Sequence, residues 1–285
     1  MKKKQISAFV DRRFKKIDKL SAELVKHFEE EQIHCFRVEV KKLRALLRLM
    51  SCESNNPQEL KIPKRLKKFY RAVGMIRVLQ LQQHRVIVST EGSDQRKAGG
   101  YLKWIRSETS NEMIKAYESL EGRISFDEER RNIQKKLPGK LNHFGKVKFM
   151  LTQKNRLHEV MMGKKFSQET LHSIRKILKD ILYTKSFIAP KYRKILPELL
   201  EDDKIVSQLT DHLGELHDLS VGLGLLGKSY RNGQFRKADL PALSSIMAEW
   251  EENRKEIARQ TAPEIKQLKI FPELVLSTIT NDSMT

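Results

Sequence analysis

The sequence predicts an all-α fold built as two antiparallel four-helix bundles, and three observations predict it. Long stretches rich in Lys, Leu, Glu, Arg and Gln are interrupted by only 8 prolines and 13 glycines, a composition that favours helix over strand. Apolar residues recur at helical spacing, as at Ile174, Ile177, Leu178 and Ile181, so a helix can bury one face. Marker residues recur in the same order about 140 residues apart, the sign of two similar units.

In chain order, helices are expected near 4–29, 31–51, 59–88 and 97–120, then near 125–160, 166–188, 192–228 and 240–260. Asn55-Asn56-Pro57 ends the second, Glu91-Gly92-Ser93-Asp94 the third and Asn232-Gly233 the seventh, each a cluster of turn-forming residues. The halves meet within 121–138, where Gly122, a charged run and Pro138-Gly139 fall. They are taken as 1–130 and 131–285, four helices each, related by a pseudo-twofold. After Pro263 the helical signal fades, and Phe271 to Ile279 reads as a strand-like run or an extended segment against the second bundle.

The second helix carries His34, Arg37, Lys41, Arg44 and Arg48 at steps of three, four, three and four. At about 100° per residue these share one face. The sixth helix repeats the pattern 138 residues later with His172, Arg175, Lys176, Lys179 and Tyr183. Like charges at this spacing repel by a few tenths of a kcal/mol per pair. Only Glu39 interrupts the first segment, and it projects to another side. The missing counter-charge must come from solvent, another helix or a bound polyanion. Arg grips phosphate with a bidentate fork, Lys supplies a point charge and neutral His one N–H. His34 and His172 are expected to open their helices, beside free backbone N–H groups and the positive dipole end. Arg71 and Arg77 join the candidate set because they flank Gly74 of a Gly74-x-x-Arg77 marker, repeated as Gly214-x-x-His217. His34 to Gly74 spans 40 residues and His172 to Gly214 spans 42.

Bulk properties agree with an anionic partner. The 285-residue chain has 56 basic and 36 acidic side chains, a net charge of +20 and a pI near 9.9. That suits nucleic acid, phosphorylated small molecules, polyphosphate or an acidic membrane surface, and charge alone does not choose. No run reaches the roughly 20 apolar residues of a membrane span. The stretch Ile6 to Val10 is cut by Asp11-Arg12-Arg13, too short for a signal peptide. Cys35 and Cys52 read as reduced thiols. A soluble, cytoplasmic protein is expected.

Two enzyme signals weaken on their flanks. Gly222-Leu223-Gly224-Leu225-Leu226-Gly227-Lys228-Ser229 matches both GxGxxG and the Walker A string, but a phosphate-cradling loop needs a strand before it and a helix after it. Leu209, Leu213, Leu216 and Leu219 upstream are helical in period, and Asn232-Gly233 ends the chain's helical run soon after Lys228. The glycines are read as close helix contacts. His217-Asp218 matches the dipeptide of HD metal phosphohydrolases, but His212 and His217 face about 140° apart on a helix. Nucleic-acid binding stays as an alternative, and nucleic acid is expected as a non-specific competitor. The 7% aromatic residues are scattered rather than arranged as a base-stacking platform.

Three stretches together resemble a family, the conserved histidine α-helical domain (CHAD) proteins. They are His34-x-x-Arg37-x-x-x-Lys41-Lys42-x-Arg44, Leu171-His172-x-x-Arg175-Lys176-x-x-Lys179 and Leu213-Gly214-Glu215-Leu216-His217-Asp218. The resemblance covers nearly the whole chain and adds Lys42 and His217 to the set. Val78 stands where the family often has Asp after the first marker arginine. The resemblance implies two four-helix bundles, basic residues along a central groove or pore, non-catalytic binding of inorganic polyphosphate and association with polyphosphate granules. The Glu-x-Glu-x-Lys mark of fused triphosphatase domains is absent from the sequence. The expected polyphosphate-binding residues are His34, Arg37, Lys41, Lys42, Arg44, Arg48, Arg71, Arg77, His172, Arg175, Lys176, Lys179, Tyr183 and His217, with no catalytic residue, metal or cofactor.

Overall fold

In the computed structural model, which describes residues 1–53, 60–90, 98–162, 167–196, 198–232 and 235–268, the regular structure of the described residues is helical. The helices are α1 (Lys3–His27), α2 (Glu30–Ser51), α3 (Lys64–Ser89), α4 (Gly99–Ser119), α5 (Asp127–Lys136), α6 (His143–Met161), α7 (Gln168–Thr184), α8 (Pro190–Arg193), α9 (Asp203–Arg231) and α10 (Leu240–Gln267). Single 3₁₀ turns cover Lys185–Phe187, Glu198–Glu201 and Lys237–Asp239. An isolated bridge between Lys2 and Lys140 is the one β pairing among the described residues.

Three boundaries differ from expectation, each for a local reason. The helix expected over 125–160 is two helices. Leu137, held extended before Pro138, ends α5, because an X-Pro residue disfavours the helical region and Pro has no N–H to give. Asn142 then caps α6, its side chain accepting from the Gly145 N–H at 3.1 Å. The helix expected over 192–228 starts at Asp203, where the Asp202 side chain accepts from the N–H groups of Lys204 and Ile205. The last helix runs past Pro263 to Gln267, since Ile265 and Leu268 beyond the proline are buried and hold that turn in place. The Phe271 to Ile279 run, Asn55-Asn56-Pro57, Glu91 to Asp94 and Gly233 lie outside the described residues.

The packing order repeats. α1 packs on α2, α2 on α3 and α3 on α4; α6 packs on α7, α7 on α9 and α9 on α10. The two series touch where α2 meets α7 and α3 meets α9. The apolar core does not divide at residue 130. One cluster joins α1, α2, α6 and α7 to the first halves of α3 and α9. A second, from Leu79 and Leu219 onward, joins the later turns of α3 and α9 to α4 and α10. Between α3 and α9, Gln82 Nε2 donates to the Gly222 carbonyl at 3.1 Å and to the Tyr101 hydroxyl at 2.7 Å. Fully buried Phe14, Phe36, Phe69 and Phe149 each contribute about 1.5–3 kcal/mol of apolar burial. The consequence for the site is that α2 and α7 are fixed side by side, each by its own apolar face.

Candidate functional site

On α2, Ile33, Phe36, Val40, Leu43 and Leu47 go into the core; on α7, Ile174, Ile177, Leu178 and Ile181 do the same. That burial turns the basic residues of both helices toward each other. Lys41 of α2 records the convergence. Its ammonium is pushed down to about 7 by burial, then by Arg37, Arg175, Lys179 and Arg44, cations from both helices. Lys176 is lowered by burial, then by Arg44, Arg48 and Arg156. The two basic faces are therefore one cluster.

Two arginines, one on α2 and one on α7, are seated alike. Arg37 Nη1 lies 3.5 Å from the Tyr70 carbonyl with its guanidinium over the Tyr70 ring at 4.8 Å, against Gly74. Arg175 Nε donates to the Thr210 carbonyl at 3.1 Å, against Gly214. A side chain at either glycine would occupy the guanidinium's place, which explains the two glycine markers.

The histidines form a different unit. His172 and His217 stack with ring centroids 4.2 Å apart and planes 20° from parallel. Burial, then His217, Lys176 and Arg175, pushes His172 down to about 4. Burial also lowers His217, against the opposing pull of Asp218. Both are neutral near pH 7, and His172 Nδ1 is buried without a hydrogen-bond partner. The expected place of His34 and His172 at helix openings is corrected. Each is the fifth residue of its helix, just past the free N–H groups, and the N-cap positions are held by Glu29 and by Ser167, the latter accepting from the Thr170 N–H. His34 is largely exposed, and the partial burial of its ring lowers it, with Glu31 opposing and Lys41, Arg77 and Arg37 adding to the shift.

The remaining candidates separate. Arg44 lies in the cluster with its Nε buried and unpartnered. Arg48 pairs with Asp180, Lys179 with Asp211 at 3.3 Å and Arg77 with Glu30 of α2. Tyr183 is half-buried beside Arg175, its hydroxyl pushed up by burial. Lys42 is not in the cluster: it joins Glu39 at 3.2 Å, which Arg13 of α1 also holds at 2.6 Å. Arg71 is exposed on α3, and no cluster contact reaches it among the described residues. Two further groups enter the cluster: Asp180, buried within the basic stretch of α7, which no sequence pattern marks, and Arg156, part of a basic run on α6. A cavity of about 240 Å³ opens beside Arg44 and Arg48, with Lys67 and Tyr70 on its α3 side.

The enzyme strings resolve into helix. Gly222 to Ser229 lies wholly inside α9, where its backbone N–H groups serve the helix and form no phosphate cradle. Of the glycines expected as close helix contacts, Gly222 is one, with Gln82 and the Trp250 ring packed against it, whereas Gly224 has no neighbour within 4 Å and Gly227 meets only Arg231 Nη1 at 3.8 Å. Among the described residues no group of three or more His, Cys, Asp and Glu side chains is arranged to hold a metal, and no helix is long and apolar enough to cross a membrane.

The structure is similar to the crystal structure of the CHAD domain from the plant Ricinus communis, with TM-score 0.68 and 15% identity over 94% of this chain and 92% of that one. It is similar to PptA from Streptomyces chartreusis, with TM-score 0.67 and 13% identity over 93% of this chain and 99% of that one. At these identities the likeness is one of fold. Among curated proteins none matches the sequence. The family model described as CHAD domain matches residues 8–227, a span that holds both basic helices, both glycine markers and His217, and the chain belongs to the CHAD domain family.

Proposed function

We propose that this protein binds inorganic polyphosphate without catalysis, along the cation cluster between α2 and α7. The observation that carries the reading is Lys41, whose ammonium is desolvated among Arg37, Arg175, Lys179 and Arg44. Such mutual repulsion costs stability in the free protein and is relieved by a ligand that repeats its negative charge at short intervals. Most groups facing the cluster are donors, and Asp180 and Asp211 are each engaged by a cation. Family membership supports the same reading, as does the +20 charge. In cells the protein would associate with cytoplasmic polyphosphate granules.

The test is a salt-series titration with long-chain polyphosphate, competed by single-stranded DNA at equal phosphate. About eight contacting cations give a log-log slope near −6 by the single-strand relation. At pH 6.5, Lys41→Met/Lys176→Ala is expected to flatten the slope by about 1.4 with helicity and thermal midpoint retained. Equal competition by DNA, or an unchanged slope, would reduce the cluster to a general basic surface.

A further inference from the structure

Asp180 is the acid set deepest among these cations. It projects from α7 with 3% of its surface exposed and pairs with Arg48 of α2. Arg44 and Arg156 also act on its carboxylate, and it acts in turn on Lys176, one turn before it. Burial pushes its carboxyl up and Arg48 pulls it back, the balance of a charge held in a dry place by its partners. The other acid of the cluster is different in kind: Asp211, which faces Lys179, keeps 69% of its side chain exposed. Among the described residues neither Lys41 nor Arg44 forms an ion pair. The charge of the cluster is thus neutralised at the Arg48 end by the protein itself and left open at its centre.

We propose that Asp180 is an internal counter-ion that holds the place of one phosphate at the Arg48 end of the cluster. It keeps Arg48 occupied and offsets the field of Arg44 and Lys176, and so sets the affinity for a polyanion without touching it. A chain of phosphates engages the open centre first and reaches Arg48 only by displacing a carboxylate buried beside it. The inference rests on the polyphosphate reading above. Asp180 is a positioning residue here, acting through Arg48.

The test compares the native chain with Asp180→Asn, Arg48→Gln/Asp180→Asn and, as a charge control, Glu23→Gln on the exposed side of α1, all titrated with long-chain polyphosphate across a salt series. Asp180→Asn keeps the shape and frees Arg48. Its slope should steepen by about 0.7 and its affinity rise about fivefold at 0.1 M salt, by the single-strand counterion relation. The double variant removes the whole pair and should bind as the native chain does. Glu23→Gln should leave the slope unchanged. If Asp180→Asn does not fold, the double variant, which leaves no unpaired charge, decides alone: native-like binding supports the proposal, and a loss of tenfold or more shows that Arg48 already serves the ligand and overturns it. A folded Asp180→Asn with native slope and affinity overturns it too, while the native chain's binding leaves the polyphosphate reading intact. A native chain that does not bind polyphosphate overturns both.

Discussion

Arg175 lies across Gly214, donating Nε to the carbonyl four residues before it, and Arg37 lies across Gly74 with its Nη1 toward the carbonyl four residues before that glycine. At each place the glycine is the gap in the helix wall that lets the guanidinium settle between α2 and α3, or between α7 and α9. A Cβ at Gly214 would stand 2.9 Å from Arg175 Nη2. The obstacle is the far end of a flexible side chain, so it yields at small cost.

Gly214→Ala is therefore expected to separate stability from binding. The substitution gains up to about 1 kcal/mol of helix propensity and displaces Arg175. The thermal midpoint should hold or rise while polyphosphate affinity falls several-fold. A midpoint loss with unchanged affinity would show that Arg175 only packs.

Lys41 ties binding to pH. A lysine held at about 7 by burial and neighbouring cations is largely neutral in the free protein at pH 8, and a polyanion restores its charge. Binding should take up a proton between pH 7 and the ordinary lysine value, and should weaken as pH rises. Titration calorimetry at pH 8 in buffers of different ionisation heat reads the proton directly. Lys41→Met should abolish the uptake. The sign for folding is opposite: the unfolded chain binds the proton that the folded one refuses, so this residue makes the free protein more stable as pH rises from 7 toward 10.5.

Much of this site was legible from spacing. The two basic faces, their apolar backs and the glycine markers follow from a period of 3.6, which is local. What joins α2 to α7 is not local. The Arg48 to Asp180 pair spans 132 residues, and the His172 to His217 stack depends on how α9 lies against α7. Asp180 follows Lys179 directly in sequence, yet only the packing of α6 and α2 around α7 reveals that it is buried among cations. Lys42 shows the same dependence: one residue beyond Lys41, it is rotated by about 100° and meets Glu39, which Arg13 of α1 also holds. Pro138-Gly139 is visible in the sequence as a break, but a lone Pro-Gly does not say whether the next helix starts anew.

The glycine-rich string of α9 gives a sharp contrast among neighbouring positions. A Cβ at Gly222 would stand 2.5 Å from Gln82 Oε1 and 3.5 Å from the Trp250 ring, whereas Gly224 has nothing within 4 Å. Gly222→Ala should cost about 1–3 kcal/mol through overpacking, and Gly224→Ala should gain up to about 1 kcal/mol. Lys228→Ala should change neither stability nor phosphate binding. These are read from denaturant midpoints. Nucleotide binding lost on Lys228→Ala would revive the phosphate-loop reading.

The junction between α4 and α5 depends on Arg65. Its side chain is 6% exposed and its Nε and Nη2 hold both carboxylate oxygens of Glu129, at 2.6 and 2.9 Å. Nη1 donates to the Leu120 carbonyl at 3.0 Å, the Arg123 and Ser125 carbonyls accept as well, and the guanidinium lies 4.4 Å from the Phe126 ring centroid. One side chain thus satisfies the backbone where α4 ends and anchors the start of α5. Arg65→Met leaves Glu129 without its partner and the carbonyls without donors, which should cost about 3–5 kcal/mol. Arg65→Lys should recover little, because a point charge cannot reproduce the fork. Burial alone would raise the Glu129 carboxyl, but the Arg65 hydrogen bonds hold it below the ordinary value. Its contribution is therefore present above the ordinary Glu range and is lost as pH falls through the depressed value. The native chain should lose stability in acid more steeply than Arg65→Met does, and parallel acid limbs would show that the pair contributes no net charge stabilisation.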